Sequence, residues 1–470
     1  MLTENTHYGA EGVRQIMENC RGVFFIGIGG INMSSLAHLT HESGYFVAGS
    51  DRTRSALCER LEGEGIRISY EHKAENIEGC DVIVYTVAIP DDNPEYAAAQ
   101  ERGLPCISRA DYMGYLMTGY RRRIGISGMH GKSTCTSMCA SVFIDAGLDP
   151  TVLSGAELAK MGGAWRVGSR DSMIFEACEY RDSFLNFYPT IAVLLNIEPD
   201  HLDYFSGIDH IKNSFEAFAK RDGCECVVAN ADDENVREVI ERAGVRAVTF
   251  SLHSPNADYR ATNIVAEGGR YSFDVLKQDE FMCRVRLSIP GLHSISNALA
   301  CLAVSDLCGV PTEDICRGLG YFTGASRRME YKGRLNGARV YDDYAHHPTE
   351  IRASLQALAS MTAEDEDRGE LICVFQSHTY NRTAALFDEF ATAFEDADRV
   401  IVADIYAARV GNDYGVSATS LARAIGMRAE YLGDMQNIAE YLKENVREGD
   451  TLVIMGAGDI CKLFTMMELD

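Results

Sequence analysis

The segment RRRIGISGMHGKSTCT (121–136) decides the fold. It opens with a basic knot and a short apolar run. A glycine-bracketed loop follows and enters the helical pattern STCTSMCASVFIDAG. Strand, glycine loop and helix in that order make the start of a βαβ unit. The loop has the physics of a phosphate cradle. Backbone N–H groups surround phosphate oxygens, Lys132 neutralises their charge, and the Ser133 hydroxyl suits Mg²⁺. The general P-loop pattern asks for glycine six residues before the lysine, where this chain has Ile126. The narrower pattern G-x-H-G-K-[ST] fits, through Gly128, His130, Gly131, Lys132 and Ser133, with Thr134 next. A glycine-rich cap with a solvated lysine is the other reading.

Upstream, VFFIGIGGINMSSLA (23–37) repeats the arrangement with Gly27, Gly29 and Gly30. Such a turn either holds a nucleotide phosphate at a helix N-terminus or is simply a tight βα turn. It is not the full GxGxxG fingerprint, because Asn32 and Met33 occupy the third-glycine region. Asp51 closes the second strand, where such folds place a ribose-binding carboxylate. It reads equally as an N-cap for the following helix.

Working outward, apolar runs recur at 45–49, 81–86 and 105–108, then at 172–177, 191–197 and 225–230, and finally at 338–344, 371–376, 399–405 and 450–456. Helical patterns separate them, which predicts parallel sheets. Between 247 and 289 the pattern alternates, as in RYSFDVL and CRVRLSI, and predicts a small antiparallel sheet attached to the parallel one. The fold expected is α/β in three domains: 1–119, 120–325 and 326–470. The first and last are Rossmann-like, and the middle one is a P-loop-type ATPase. The acidic stretch AEDEDRGE (363–370) is expected to be an exposed turn.

A chain of 470 residues has room for several cores and needs no disulfide staples. Its 44 basic and 69 acidic residues give a net charge of −25, which argues against nucleic acid and anionic membrane as partners. No apolar run is long enough to span a bilayer, and no secretory signal is expected from MLTENTHYGAEGVRQIMENC. The 15 cysteines are scattered through apolar segments without a CxxC. They are expected to be reduced thiols in a cytoplasmic protein. A monomer or a homodimer is expected.

Several strand ends carry chemistry. Glu176 ends SMIFEA, and Glu198, Asp200, His201 and Asp203 follow the next apolar run. Carboxylate and imidazole at neighbouring strand ends beside a P-loop suit a metal-rich site. Singly, Glu176 also reads as a solvated strand end and His201 as a capping or packing histidine. Glu179 and Asp182 are expected only to solvate a loop. Asp342, Asp343, Tyr344, His346 and His347 end another strand and suit metal binding, proton transfer or an amine ligand. Arg382 is a cation that can grip a carboxylate or phosphate. Arg327 and Arg328 either reach a γ-phosphate from an adjoining lobe or form a solvated junction pair.

These pieces occur in a fixed order: GIGGINMSSLA (27–37), GMHGKSTCT (128–136), EACEYRDSFL (176–185), NIEPDHLDYF (196–205), GLHSISNALA (291–300), FTGASRRME (322–330), DDYAHHPTEI (342–351), FQSHTYNRT (375–383), DIYAAR (404–409) and GAGDI (456–460). The set resembles the Mur ligases, ATP-dependent amide-forming enzymes of peptidoglycan precursor synthesis. It is most like the members that join L-alanine to the carboxylate of UDP-N-acetylmuramate. The recycling members that add a tripeptide to the same sugar are the nearest alternative. A nicotinamide oxidoreductase leaves the second glycine loop unexplained.

The resemblance implies two Mg²⁺ ions, with ATP as co-substrate. Gly27, Gly29, Gly30, Ser34, Asp51, Thr86 and Arg382 would hold the UDP-sugar. Gly128, His130, Gly131, Lys132, Ser133, Thr134, Asn297 and Arg328 would bind ATP. Ser133, Glu176 and His201 would hold metal. Lys132, Glu176, His201, Arg328, Asp343 and His346 would be catalytic, with Tyr344 lining the muramate end. Met129, Ser294 and Asn32 stand where the family usually has Thr, Asn and Gly; Ser294 changes the hydrogen bonding available at its helix start, although serine can still cap a helix. The implied chemistry is an acyl phosphate attacked by the amine, with His201 or His346 as base. The lobes are expected to close around ATP.

Overall fold

The computed structural model describes residues 4–90, 92–363, 365, 367–407 and 414–470. Ala408 and Arg409 of the segment 404–409, and Glu364 and Glu366 of the acidic stretch, lie outside the described residues. Three α/β units follow one another, each around its own sheet.

The N-terminal sheet has five parallel strands in the spatial order Arg67–Ser69, Phe46–Ser50, Gly22–Ile26, Val82–Tyr85, Cys106–Ser108. Gly22–Ile26 is buried along its whole length, which is why it reads as an unbroken apolar run. Strand order reverses on either side of it. Its C-terminal end, and that of Val82–Tyr85, therefore open a crevice between the first glycine loop and Thr86.

The central sheet has ten strands. Its parallel body runs Ala247–Ser251, Cys226–Asn230, Ile191–Leu194, Arg122–Ser127, Ser172–Glu176, Thr151–Leu158. The antiparallel strand Gly163–Arg166 closes one edge. At the other edge Tyr259–Glu267 pairs in parallel with Ala247–Ser251, and Arg270–Lys277 and Glu280–Pro290 then continue antiparallel. The antiparallel part is thus continuous with the parallel sheet. Ala247–Ser251, expected to be antiparallel, belongs to the parallel body. The helix Lys132–Asp145 is buried nearly all round, against Thr312–Tyr321 and His293–Leu307. Small residues permit that closeness: a Cβ on Gly318 would sit 2.7 Å from Val142 Cα.

The C-terminal sheet runs Glu330–Leu335, Ala338–Asp343, Thr451–Met455, Leu371–Phe375, Arg399–Ala403, Ala429–Gly433. Only the first strand is antiparallel.

The two junctions differ in kind. Val23, Phe25, Met33 and Leu36 of the N-terminal unit share one buried cluster with Leu153, Trp165, Phe175 and Phe184 of the central unit. The C-terminal unit has two clusters of its own, made entirely of residues from 329 onward. No helix among the described residues is long and apolar enough to cross a membrane.

Candidate active site

The loop 128–131 joins Arg122–Ser127 to the buried helix Lys132–Asp145. Gly128 and Gly131 have φ of +142° and +82°, which side chains adopt only under strain. Asn196 pins the loop from the next strand end. Its amide nitrogen donates to the His130 carbonyl (3.0 Å), and its Oδ1 accepts from the His130 N–H (2.8 Å). Gly131 is the helix N-cap and supplies no capping side chain, so a ligand or water must meet the first amides.

Lys132 is buried. Its Nζ donates to the carbonyls of Gly128 (2.5 Å) and Met129 (3.2 Å) and to both oxygens of Glu179 (3.0 and 3.2 Å). Burial opposes its charge, but Glu179, with Glu176 further off, holds the ammonium above its ordinary pKa. Glu179 is fully buried and also meets His201 Nε2 at 3.3 Å. Burial would raise its pKa; Lys132 and His201 lower it instead. Glu179 therefore does not merely solvate a loop. It is the anion that joins the expected phosphate-binding lysine to the expected metal-site histidine.

Glu176 lies at the end of its strand, with Oε1 accepting from the Gly155 N–H and the Ser154 hydroxyl (3.3 Å). Ser133 accepts from Arg328 Nη2 at 3.4 Å. A hydroxyl and a carboxylate beside a phosphate loop form the hard oxygen donor set that Mg²⁺ takes, so these residues fit the ion. A second cluster, His130, Glu198 and His347, has potential ligand atoms within 4.8 Å of one another. The Thr349 N–H donates to His347 Nδ1 (3.3 Å), which puts that ring's proton on Nε2 and removes it as a ligand.

The C-terminal unit reaches this loop through several polar pairs. His130 lies 3.2 Å from Glu350 and 3.7 Å from Glu198. Burial would lower its pKa, but Glu350 and Glu198 hold it up at about 9. Thr349 donates to Glu198 (2.8 Å), and Arg328 Nη1 lies 3.9 Å from Glu350. Arg327 and Arg328 both stand over the Tyr344 ring, at 5.0 and 4.9 Å. Asp343 is buried, and burial pushes its carboxyl up to about 6. It accepts from the Ala345 (2.7 Å) and Met329 (3.0 Å) amides, so it braces the junction that carries Arg328.

Between the two units lies a cavity of about 200 Å³ lined by His130, Thr134, Asn297, Arg328, Asp343 and Glu350. Asn297 stands so close to Gly131 that a Cβ there would be 2.8 Å from its Oδ1. Ser294 does not cap its helix: its hydroxyl donates back to the Pro290 carbonyl at 2.7 Å. A larger cleft of about 990 Å³ adjoins, lined by Asp200, His201, His378, Arg382 and Tyr406. Arg382 grips Asp200 across the junction (3.2 Å), and Arg382 Nη1 donates to His378 Nδ1 at 3.4 Å. Burial lowers His346 to about 3 and His378 to about 4, with Arg382 adding to both. Both rings are neutral near pH 7. His346 Nδ1 lies 3.0 Å from the Tyr344 carbonyl and 3.2 Å from Glu350.

The first glycine loop forms a separate group. Gly27 has φ +81°. A Cβ there would lie 3.2 Å from Thr86. The Gly29 N–H donates to Asp51 Oδ2 (2.9 Å), and Thr53 N–H to Oδ1 (3.1 Å). Asp51 thus ties down the loop, and Ser55, not Asp51, caps the next helix. Ser34 is buried, its hydroxyl donating to the Ile31 carbonyl. Arg382 stands apart from this group, on Asp200.

Sequence reasoning assigned no role to Glu350 and a mistaken one to Glu179. Glu179 sits three residues beyond Glu176, and Glu350 in the first turn of the helix after the double histidine. Those positions were the available signals.

Three family profiles match the chain: "Mur ligase family, catalytic domain" over 23–121, "Mur ligase middle domain" over 126–305, and "Mur ligase, glutamate ligase domain" over 327–458. The UDP-N-acetylmuramate--L-alanine ligase of Clostridium novyi is 44% identical over 96% of this chain and 98% of its own. That of Caldanaerobacter subterraneus is 46% identical over 94% and 96%. The solved UDP-N-acetylmuramate-alanine ligase of Thermotoga maritima superposes with a TM-score of 0.80 at 26% identity, covering 95% of this chain and 98% of that one.

Proposed function

The chain belongs to the Mur ligase family, and on that premise we propose that it joins L-alanine to the carboxylate of UDP-N-acetylmuramate at the expense of ATP. The relatives just described carry that activity in their names. The observation that carries the reading is the reach of Arg328 from the third unit to Ser133 of the phosphate loop. The residues of 1–119 bind the UDP-sugar, those of 120–325 bind ATP, and those of 326–470 present the amino acid. The cytoplasm is the proposed setting.

Both steps gather negative charge, so the protein contributes positioning and electrostatics. Lys132 holds the ATP phosphates, exchanging its loop carbonyls for phosphate oxygens while Glu179 keeps it charged. Asn297 and Thr134 face the nucleotide from the cavity wall. Arg328, steadied by Tyr344 and the Asp343-braced junction, meets the transferring phosphoryl group. Ser133 and Glu176 would hold Mg²⁺, with His201 placed for a second ion; bound there, Mg²⁺ neutralises phosphate charge. His346 and His378 are kept neutral, so the amine of L-alanine meets uncharged imidazole rather than imidazolium. His346 is the ring with a lone pair to offer, because Arg382 already occupies that of His378. Arg382 orients the carboxylate end of the substrates. Gly27, Gly29, Gly30 and Thr86 cradle the UDP diphosphate, with Asp51 and Ser34 fixing that loop.

The test is coupled turnover. ADP release should require UDP-N-acetylmuramate and L-alanine together. Release with either alone, or a preference for the L-alanyl-γ-D-glutamyl-diaminopimelate tripeptide over L-alanine, would overturn the reading.

A further inference from the structure

The strand Thr151–Leu158 pairs with Gly163–Arg166, but the register jumps from Leu153↔Trp165 to Leu158↔Gly163. Residues 154–157 therefore oppose the single residue Ala164 in a wide bulge. Bulges re-aim backbone groups, and this one does so twice. The Gly155 N–H and the Ser154 hydroxyl point at Glu176. The Glu157 carbonyl accepts from the Ser326 N–H (2.9 Å), at the junction with the C-terminal unit. A side chain at position 155 would have to push the Glu176 carboxylate aside. A Cβ there would lie 2.8 and 3.0 Å from the two Glu176 oxygens.

The base of the bulge is seated on the N-terminal unit. Trp165, opposite Leu153, is 1% exposed. The Arg60 guanidinium lies 3.8 Å from its ring centre, and the His38 ring 4.5 Å away. His38 belongs to the helix Ile31–Glu42, which starts on the first glycine loop. Arg60 belongs to Ala56–Gly63, whose Cys58 packs against Gly29. One run of contacts therefore links the first glycine loop, Trp165, the bulge and Glu176.

We propose that Ser154 and Gly155 are positioning residues for Glu176, and that the Trp165 seat on the N-terminal unit holds them in place. The proposal rests on the reading of Glu176 as a metal ligand. Groups that orient a ligand tune metal affinity without touching the metal. Metal affinity at the ATP site is then set in part by a seam belonging to the sugar-binding unit.

The experiment is Mn²⁺ binding to the full chain with a non-hydrolysable ATP analogue, read by electron paramagnetic resonance. Gly155→Ala should weaken Mn²⁺ binding about 10-fold, in the range of lost ligand-orienting groups. Arg60→Gln and Trp165→Phe should weaken it about 3-fold or more, as remote coupling does. Analogue binding measured without metal should be unchanged in all three. If Trp165→Phe does not fold, Arg60→Gln decides, because that side chain is 40% exposed. Wild-type Mn²⁺ affinity in Gly155→Ala, or in Arg60→Gln and any folded Trp165→Phe, overturns the proposal while Glu176→Gln still loses the ion. Wild-type affinity in Glu176→Gln overturns the metal reading itself, and the proposal with it.

Discussion

Glu350 of the C-terminal unit stands 3.2 Å from Nδ1 of His130 in the glycine loop 128–131, an ion pair on the wall of the cavity between the two units. The pair depends on pH in a definite direction. His130 is held up at about 9, above its ordinary value of 6.5. Its contribution is complete below about 6.5 and fades as pH rises through about 9. The junction should therefore loosen between pH 7 and 10. Small-angle scattering should show the radius of gyration rising over that interval, and His130→Gln should flatten the response. Constant dimensions to pH 10 would count against the latch.

Lys132→Ala should abolish ADP formation, by at least about 10²-fold, because a preorganised charge on the transferring phosphates is worth about 3 kcal/mol or more. UDP-N-acetylmuramate binding, measured calorimetrically, should persist. The variant should also melt several degrees lower, since buried Glu179 keeps only His201 as partner. Normal turnover would refute the placement of ATP.

Gly131→Ala tests the loop itself. It forces a left-handed residue to carry a Cβ, costing about 1–3 kcal/mol of strain, and drives that Cβ against Asn297. Nucleotide affinity should fall at least about 10-fold with the fold retained. Unchanged affinity would mean that the loop does not approach the nucleotide.

The seams predict which unit moves. The N-terminal and central units share an apolar core, whereas the C-terminal unit keeps separate apolar clusters and meets the central unit through the ion pairs His130–Glu350 and Asp200–Arg382. Trp165, the only tryptophan in the chain, lies in the first seam. Its emission should ignore ATP analogues, while a label pair spanning the Asp200–Arg382 seam should report closure. A large Trp165 response with a silent second seam would reverse the assignment.

The parallel strands were legible because both faces are buried, which writes them as apolar runs. Four edge strands escaped: Arg67–Ser69, Gly163–Arg166, Glu330–Leu335 and Ala429–Gly433. All four are sheet edges, short or polar-interrupted, where one side carries no partner strand. Thr151–Leu158 escaped because its bulge breaks the alternation. In the candidate site, the strand, glycine loop and helix that carry Lys132 and Ser133 were legible from local spacing. Glu179, Glu350 and the Asp51 brace were not, because their meaning comes from partners far along the chain. An acidic side chain looks the same in sequence whether it stays in water or is buried against a lysine.

The C-terminal unit keeps its apolar cores to itself and pairs with its neighbour across the seam through charged groups at His130–Glu350 and Asp200–Arg382. Such a fastening is easily re-cut. On the proposed reading, the engine that spends ATP and the clamp that holds the sugar are welded together, while the part facing the incoming amino acid is bolted on. A lineage can then exchange that cartridge, and with it the amine it accepts, without rebuilding the engine.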